Sequence, residues 1–383
     1  MEYKKTMILL VLAIFLVSIS GVCASEIDNT IASEDANEIV LSTDNDIAEG
    51  NLQITEENNI LKSNDEDILS DDSGNYSGLS SEISSGGNHI ELQHKYYAYD
   101  GSTDTIEISV ANSVIDGRGA VIDMAGSTIR AFNVSASGVT IKNLTIKNAN
   151  YNDDGGAIYF AQAGTVTDCN FIDNKLTGNY TYGGAVYFFN EGTVENCNFE
   201  SNAATYEGGA LFIWEEGIVK NCNFTDNSAV WGGAIKFYTV GTVTDCTFKN
   251  NKVSGEYSYG GAVWMNLGSI VNSNFESNTA VHEGGALWMN SGSIENSNFT
   301  GNNATTGSAI YFSNMSSAKT VLNSRFLNNR ANAERLEVIK NENNVTVIFT
   351  GNDNMLNAIY CDVDVSFTNV TYWGANGINN TGS

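Results

Sequence analysis

The sequence predicts an all-β solenoid in which each repeat forms one turn of a parallel coil. A motif that begins with Gly-Gly or Gly-Ser recurs, with starts at residues 155, 183, 208, 232, 260, 284 and 307. The steps are 23 to 28 residues, a period that is typical of solenoids. The repeated positions hold Gly, Ala, Val, Phe and Asn in a strand-like alternation. The 383 residues include no proline, which suits a body of paired strands.

Apolar residues occupy the same four positions of every repeat. In the first clear repeat these are Ile158, Phe160, Val166 and Phe171. Side chains two residues apart in a strand share a face, so the columns that start with Ile158 and Phe160 should both point inward. Stacked columns predict a continuous core, with the turns ~4.8 Å apart along the axis.

An asparagine stands three residues after the phenylalanine of the fourth column. Asparagine tolerates left-handed backbone, and its amide can hydrogen-bond to the copies above and below. We therefore predict an internal asparagine ladder at a corner of the coil, made of Asn174, Asn202, Asn227, Asn251, Asn278, Asn302 and Asn329. None of these starts an Asn-x-Ser/Thr sequon. Eleven other asparagines do, which predicts a glycoprotein if the host has the machinery.

Four cysteines share one column, which continues as serine in later repeats. The exchange with serine indicates a slot for a small side chain. Neighbouring Cα atoms at ~4.8 Å are within disulfide range. Parallel Cβ vectors, however, keep the sulfur atoms too far apart to bond unless the backbone is strained. We expect packed thiols rather than disulfides, and no metal site because the column has no histidine. The column comprises Cys169, Cys197, Cys222 and Cys246.

The first residues predict an export signal. The charged "MEYKK" precedes the apolar run "TMILLVLAIFLVSISGV" and then "VCA". Val22 and Ala24 fit the small-residue cleavage rule, so we expect a signal peptide over residues 1–24. A membrane anchor is the alternative, but the run is short for one. Membrane contact is therefore expected only before cleavage, and the mature protein should be secreted or held at the cell surface.

The next segment differs in composition from the repeats. Residues 25–85 hold sixteen Asp or Glu, one lysine and one aromatic residue, Tyr76. Such a segment buries too little apolar surface to offset its ordering entropy. We predict a disordered acidic linker over residues 25–85, a solenoid of about ten to eleven turns over residues 86–375, and a tail over residues 376–383. The last turns are predicted in "NVTVIFTGNDN" and "DVDVSFTNVTYWG".

The charge of the chain restricts its partners. The formal net charge is −27 at pH 7. Phosphate contacts need clustered Lys and Arg, so no nucleic-acid partner is expected. No zinc-ligand spacing, phosphate-binding loop or dinucleotide fingerprint appears in the sequence. We predict no cofactor, and calcium in the Asp-rich turns stays open.

The repeats resemble a known fold and a known family. The order "VIDGRGAVID…VTIKNLTIKN…GGAIYF" resembles the right-handed parallel β-helix of the pectate-lyase type. The Gly-Gly-Ala and Phe-x-x-Asn signatures also resemble the repeats of polymorphic outer-membrane proteins. Together with "VSFTNVTYWGANGINNTG", they resemble adhesin-like surface proteins of methanogenic archaea over most of residues 86–382. The resemblance implies a right-handed β-helix that takes part in cell adhesion.

An aromatic stripe is predicted on the outer surface, between the first two apolar columns. Lys236 interrupts it, and two positions further on lies a second row, Phe189, Trp214 and Tyr238. Exposed rings stack on sugar faces or protein surfaces, which favours a binding role. The alternative is a ladder of rings that only stabilises the neighbouring strands. The stripe consists of Tyr159, Tyr187, Phe212, Trp264, Trp288 and Tyr311. We interpret it, with Trp214, as a ligand-binding surface.

Two repeats carry an insertion at the same corner, "LTGNYTYGG" and "VSGEYSYGG". Each insertion holds a tyrosine pair, Tyr180 with Tyr182 and Tyr257 with Tyr259. Protruding loops on a rigid scaffold are where recognition concentrates. These tyrosines are the second set of predicted contact residues, although a tolerated insertion would look the same.

Catalysis is the main alternative function. Glycoside hydrolysis needs two carboxylates within roughly 5 to 9.5 Å. Asp168 and Asp245 share a column but lie three turns apart, roughly 14 Å. We therefore predict no catalytic residues and an adhesin-like protein that binds a cell-surface polysaccharide, glycoprotein or protein receptor. A β-helix lyase or hydrolase is the alternative, and a structural envelope component is the third reading.

Overall fold

The computed structural model describes residues 73–313 and 319–331, together with short strands between residues 347 and 380. These residues form a parallel β-solenoid of about ten turns, so the predicted fold class is confirmed. The predicted signal peptide and the predicted linker as far as residue 72 lie outside the described residues. Within the described part, no helix has the length and apolar character that a membrane crossing requires.

Each turn contributes strands to three parallel sheets, which we call A, B and C in the order in which the chain enters them. In one turn the strands are Ile158–Phe160 in sheet A, Gly164–Thr167 in sheet B and Asn170–Ile172 in sheet C. Each strand pairs in register with the next turn, for example Val166 with Val194 and Phe171 with Phe199. The same position of successive repeats is therefore stacked along the axis.

The strands recur along the solenoid. Sheet A contains Ile106–Ile108, Phe132–Val134, Ile158–Phe160, Val186–Phe188, Leu211–Ile213, Ile310–Phe312 and Ile359–Cys361. Sheet B contains His89–Glu91, Gly164–Thr167, Gly192–Glu195, Glu216–Lys220, Lys319–Leu322 and Ser366–Thr368. Longer strands pass through both sheets: Ile235–Thr244, Val263–Val271 and Leu287–Glu295.

Sheet C and the corner after it complete each turn. Sheet C contains Gly74–Asn75, Tyr96–Ala98, Asn170–Ile172, Asn198–Glu200, Asn223–Thr225, Thr247–Lys249, Asn274–Glu276, Asn298–Thr300, Arg325–Leu327 and Thr371–Trp373. Val114–Asp123 and Val139–Lys147 pass through sheets B and C. Short strands at the corner are Asn150–Tyr151, Lys175–Leu176, Ser228–Ala229, Lys252–Val253, Asn303–Ala304 and Arg330–Ala331.

The four apolar columns fill the interior. Ile158, Phe160, Val166 and Phe171 are all fully buried. The rings of the Phe171 column stack on one another, with Phe171 and Phe199 at 4.9 Å between centroids and an angle of 12°. Because every turn repeats the contact, the core is continuous along the axis.

Corner residues with left-handed backbone turn the chain on both sides of sheet C. Asp168 has a φ of 54° and precedes Cys169, and Asp173 has a φ of 56° and precedes Asn174. The sequence argument expects left-handed backbone at the ladder asparagine itself, and this is wrong. The left-handed residue is the one before it, since that bend is what turns the following side chain inward.

The asparagine column forms a continuous hydrogen-bonded ladder. Asn202 donates from Nδ2 to Asn227 Oδ1 at 3.0 Å and to the carbonyl oxygen of Phe171 at 2.9 Å. The backbone N–H of Asn202 also donates to Asn227 Oδ1, at 3.0 Å. The same bonds recur from Asn174 to the acceptor Asn329. Each side chain thus satisfies buried polar groups of two neighbouring turns.

The cysteine column is a stack of buried thiols. Each backbone N–H donates to the sulfur of the next turn, as from Cys169 to Cys197 at 3.4 Å. The Cys197 thiol donates to the carbonyl oxygen of Glu195 at 3.0 Å. The four cysteines form no disulfide bonds with one another. Ser273 Oγ accepts from Cys246 N in the same way. Burial is the main cause that raises the pKa of the Cys197 thiol well above its ordinary value.

A short helix closes the amino-terminal end of the solenoid. It spans Tyr76–Ser85, is capped by the Asn75 side chain, and buries Tyr76, Leu79 and Ile83. The predicted disorder is therefore wrong for residues 74–85. The segment as a whole is acidic, but its last residues supply one apolar helix face that covers the first turn.

The carboxyl-terminal end agrees with the prediction only in part. Ile359–Cys361, Ser366–Thr368 and Thr371–Trp373 pair in parallel with the preceding turn and form a further one. Val347–Phe349, predicted as part of a turn, instead pairs antiparallel with Ile378–Asn380 from the predicted tail. Alternation with period two specifies a strand but not the direction in which it pairs.

Candidate binding site

The predicted stripe forms one stacked column on the outer face of sheet A. Register pairs join Tyr159 to Tyr187, Tyr187 to Phe212 and Trp264 to Trp288. The Tyr159 and Tyr187 rings lie 5.1 Å apart at 4°, and the two tryptophans lie 4.6 Å apart at 10°. Stacked rings cover each other's faces, so much of this aromatic surface is used within the protein.

The stripe is less exposed than the sequence predicts. Tyr187 is 4% exposed and Phe212 is fully buried, whereas Tyr159, Trp264, Trp288 and Tyr311 are half-buried. The prediction of an exposed ring is therefore wrong for Tyr187 and Phe212. Tyr182, from the corner before sheet A, covers them, with ring centroids 6.5 and 5.1 Å away.

The corner before sheet A carries a second layer of rings, which we call the aromatic corner. It consists of Tyr180, Tyr182, Tyr206, Trp231, Tyr257, Tyr259 and His282. Several of its rings meet at steep angles, as between Tyr180 and Tyr206 at 79° and between Tyr182 and Tyr206 at 74°. Others are tilted, as between Tyr206 and Trp231 at 35°. Rings that meet edge to face leave part of their faces open. The structure thus brings the two sequence-predicted sets, stripe and loops, into one layered cluster.

The two inserted loops place the most exposed rings of the aromatic corner. Tyr180 is 72% exposed and Tyr257 is 62% exposed. The Trp231 indole N–H donates to the carbonyl oxygen of Tyr257 at 2.7 Å, which fixes the second loop to the neighbouring turn. Exposed rings on fixed backbone lose little freedom when they bind a partner, which favours recognition.

A buried ion pair lies beneath the aromatic corner, and sequence reasoning missed it. Lys236 Nζ is 3.7 Å from Glu207 Oε2, and the two side chains are 2% and 7% exposed. The ammonium group also lies 3.0 Å from the ring centroid of Trp264 and 4.9 Å from that of Trp231. The available signal was the lysine in an aromatic column, with a glutamate one turn earlier.

Burial shifts both members of this pair toward their neutral forms. Burial lowers the pKa of Lys236 to about 7, against the opposing attraction of Glu207. Burial likewise raises the pKa of Glu207, while the charge of Lys236 acts in the other direction. The charge state of the pair therefore depends on the balance between burial and the attraction of the two groups for each other.

An arginine extends the cluster at its amino-terminal end. The Arg130 guanidinium lies 4.7 Å from the Tyr151 ring centroid, 4.8 Å from that of Tyr159, and 3.5 Å from Asp153. Next to it, burial raises the pKa of Asp154 to about 6, although Asp154 accepts a hydrogen bond from Tyr182 N at 2.9 Å. Asp153 is exposed to solvent, whereas Asp154 is half-buried.

The second predicted row points outward. Phe189 and Tyr238 are 47% and 45% exposed, and Trp214 lies between them half-buried. Trp214 and Tyr238 stack at 4.1 Å, and Phe189 is 6.1 Å from Trp214. This row follows sheet A in the chain, whereas the aromatic corner precedes it, so the two lie at opposite edges of the sheet. Within the described residues, no group of three or more His, Cys, Asp or Glu side chains is placed to hold a metal ion.

A family model described as a right handed beta helix region matches residues 127–291. The match covers the turns that carry the aromatic corner and agrees with the parallel register of the sheets. The described residues form a right-handed parallel β-helix. Its turns continue on both sides of the matched segment. No curated protein and no solved structure matches this β-helix chain.

Proposed function

We propose that this β-helix is an exported, adhesin-like surface protein that binds glycans or proteins at the cell surface. The observation that carries the proposal is the aromatic corner, where exposed rings stand on fixed loops above a rigid solenoid. Tyr180 and Tyr257 come from insertions three turns apart, roughly 14 Å along the axis. Such a spacing suits an extended polymer or a protein surface better than a small molecule.

The half-buried stripe supports the aromatic corner rather than forming the contact surface by itself. Trp288 Nε1 donates to Glu283 at 3.0 Å, and Trp264 covers the Lys236 ammonium. These contacts hold the inner rings in place, so that the outer rings rest on a fixed layer. Binding should therefore depend most on Tyr180 and Tyr257, and less directly on Trp264 and Trp288.

The test uses the full chain and a panel of immobilised cell-surface polysaccharides and mucins. The double substitution Tyr180→Ala/Tyr257→Ala should reduce retention about 30-fold, since two aromatic contacts at ~1 kcal/mol each are lost. Tyr96→Ala, a half-buried tyrosine on sheet C far from the corner, is the control and should leave retention unchanged. The far-ultraviolet circular dichroism of all variants should match that of the parent.

The same binding assay distinguishes an adhesin from an enzyme and from a structural protein. Retention without new chain ends supports the adhesin proposal, whereas release of new chain ends would favour a carbohydrate-active enzyme. Unchanged retention by the double variant would remove the aromatic corner as the contact surface. No retention on any polymer would turn the search to protein receptors or to a structural envelope role.

A further inference from the structure

A groove runs along the axis between sheets A and B, beyond the row of Phe189, Trp214 and Tyr238. Two adjoining cavities of about 530 and 340 Å³ share Ala163, Glu191 and Glu216 in their walls. Residues from five successive turns line the larger one, so the groove is roughly 19 Å long at ~4.8 Å per turn. Its length and open shape suit a linear ligand that lies along the solenoid.

The groove is acidic. Glu191, Glu215 and Glu216 line it, all three are exposed, and the larger cavity has no lysine or arginine in its wall. Among the described residues, none of the three forms an ion pair with a basic side chain. Their charges therefore remain available to a ligand, and they disfavour an anionic polymer such as a polyuronate or a sulfated glycan.

The three carboxylates are distributed along the groove rather than gathered at one point. In the described part of the chain, no cluster of three acidic or other ligating side chains is close enough to hold one metal ion. A single divalent cation is therefore a poor fit. A ligand with several cationic groups along its length fits the distribution better.

The aromatic row borders the groove directly. Phe189, Trp214 and Tyr238 each precede a residue that lines the larger cavity, namely Asn190, Glu215 and Thr239. Indole and phenol rings attract ammonium groups through the electrons of their faces and also pack against the C–H faces of sugars. A ligand with both amino groups and sugar rings would use the carboxylates and the aromatic row together.

The backbone of the groove does not suit an extended peptide. Phe189 N donates to the carbonyl oxygen of Phe160 at 2.8 Å, and Trp214 N donates to that of Phe188 at 2.9 Å. Gly164 N donates to the carbonyl oxygen of Glu191 at 3.2 Å. These groups are committed to neighbouring turns, so a peptide cannot add as a further strand. The polar side chains Gln162, Asn190 and Thr239 instead offer partners for hydroxyl groups.

We propose that this groove is a second binding site, for a linear glycan that carries free amino groups. The carboxylates of Glu191, Glu215 and Glu216 pair with the ammonium groups, and the row of Phe189, Trp214 and Tyr238 packs against the sugar rings. The site is separate from the exposed rings Tyr180 and Tyr257, because the groove follows sheet A in the chain and the aromatic corner precedes it. Between the two, the Phe212 ring lies 6.1 Å from Trp214 and 5.1 Å from Tyr182. Binding should weaken with added salt, since the carboxylates are exposed.

The experiment measures binding of the full chain by calorimetry at low salt to a β-1,4-linked glucosamine hexamer. The substitutions Glu191→Gln/Glu215→Gln/Glu216→Gln should weaken binding about 10-fold or more. The control is Glu195→Gln/Glu200→Gln/Glu295→Gln, which removes the same charge from positions that line neither cavity and should leave the affinity within about twofold. Trp214→Ala should weaken binding as well, whereas Tyr180→Ala should not.

Two further probes test which chemical groups of the ligand the groove recognises. The fully N-acetylated hexamer should bind at least about 10-fold more weakly, because acetylation removes the ammonium charge. Hexalysine has no sugar rings, so Trp214→Ala should weaken its binding less than it weakens that of the glucosamine hexamer. Equal loss in the two triple variants would overturn the proposal, since it would show general attraction to an acidic chain. Tight binding of hexalysine that depends on Trp214 would overturn the proposal and assign the groove to a basic peptide. The absence of binding to the glucosamine hexamer would overturn it as well.

Discussion

Lys236 occupies a position that holds an aromatic ring in six neighbouring turns. Its ammonium replaces ring stacking with a cation–π contact to Trp264 and an ion pair with Glu207. Burial of two charges costs several kcal/mol per ion after relaxation, and the attraction between them offsets that cost only in good geometry. The net contribution of the intact pair to stability is therefore small, whereas either member alone would be an uncompensated buried charge.

Removal of one member of this pair should be more harmful than removal of both. Lys236→Met should lower the free energy of unfolding by ~3–5 kcal/mol, because it leaves Glu207 buried without its partner. The double variant Glu207→Gln/Lys236→Met should regain most of that loss. Urea unfolding at pH 7 measures both. Lys249→Met, which breaks the exposed pair with Glu276, is the control and should cost less than ~1 kcal/mol.

The pH dependence of the single variant gives a second check. Burial raises the pKa of Glu207, so the folded state holds that proton more strongly than the unfolded chain. A carboxyl of this kind contributes stability that is fully present below its unfolded pKa and is lost as the pH rises through the folded value. Without the opposing charge of Lys236 this loss grows, so Lys236→Met should be more destabilising at pH 8 than at pH 5. An equal loss at both values would contradict the buried-charge explanation.

At the scale of elements, the corners of the coil determine which sequence predictions hold. The inward columns were predictable because the repeat places like residues in register, and period two then fixes their face. The burial of Tyr187 and Phe212 by Tyr182 was not predictable. It depends on the path of the chain at a corner, which the alternation of apolar and polar residues does not describe. Tyr182 stands outside any strand pattern, yet its ring buries two members of the stripe. The pairing of Glu207 with Lys236 was not predictable for the same reason, since Glu207 lies at the equivalent corner position one turn later.

The asparagine ladder should contribute strongly to the stability of the corner that follows sheet C. Asn227 donates to the carbonyl oxygen of Phe199 and to Asn251 Oδ1, and its own Oδ1 accepts from Asn202. Asn227→Ala leaves several buried polar groups without partners, each at ~1–3 kcal/mol. We expect a loss of ~3 kcal/mol or more in urea unfolding.

The outer face of sheet C offers a matched control for that substitution. Asn223 is exposed and donates to Asn198 Oδ1 at 2.8 Å, in a row of side chains that faces water. Asn223→Ala should change stability by no more than ~0.5 kcal/mol, because water replaces the lost partner. Similar small effects at Asn227 and Asn223 would show that the internal ladder is not a major source of stability.

At the scale of the whole molecule, a solenoid must cover the ends of its core. Each turn buries its apolar face against the next, so the first turn needs a cap. The helix Tyr76–Ser85 supplies it, and Tyr76 Oη donates to the carbonyl oxygen of Ala131 at 2.8 Å and accepts from Ile106 N at 2.9 Å. Composition averaged over residues 25–85 concealed this helix. The spacing of Tyr76, Leu79 and Ile83, which matches one helix face, was the signal that could have found it.

Disruption of this cap should change the association state of the protein before it changes the fold. Leu79 is fully buried against the first turn, and Leu79→Arg would place an unpaired charge there at a cost of several kcal/mol, so the helix should detach. The uncovered core and strand edges would then pair with a second copy. In sedimentation velocity the variant should form larger species, with circular dichroism still dominated by strand. Ser81→Arg, on the exposed face of the same helix, should behave as the parent does. If Leu79→Arg also sediments as the parent does, the strands of the first turn would have to protect the end of the core themselves, and the helix would be an accessory rather than the cap.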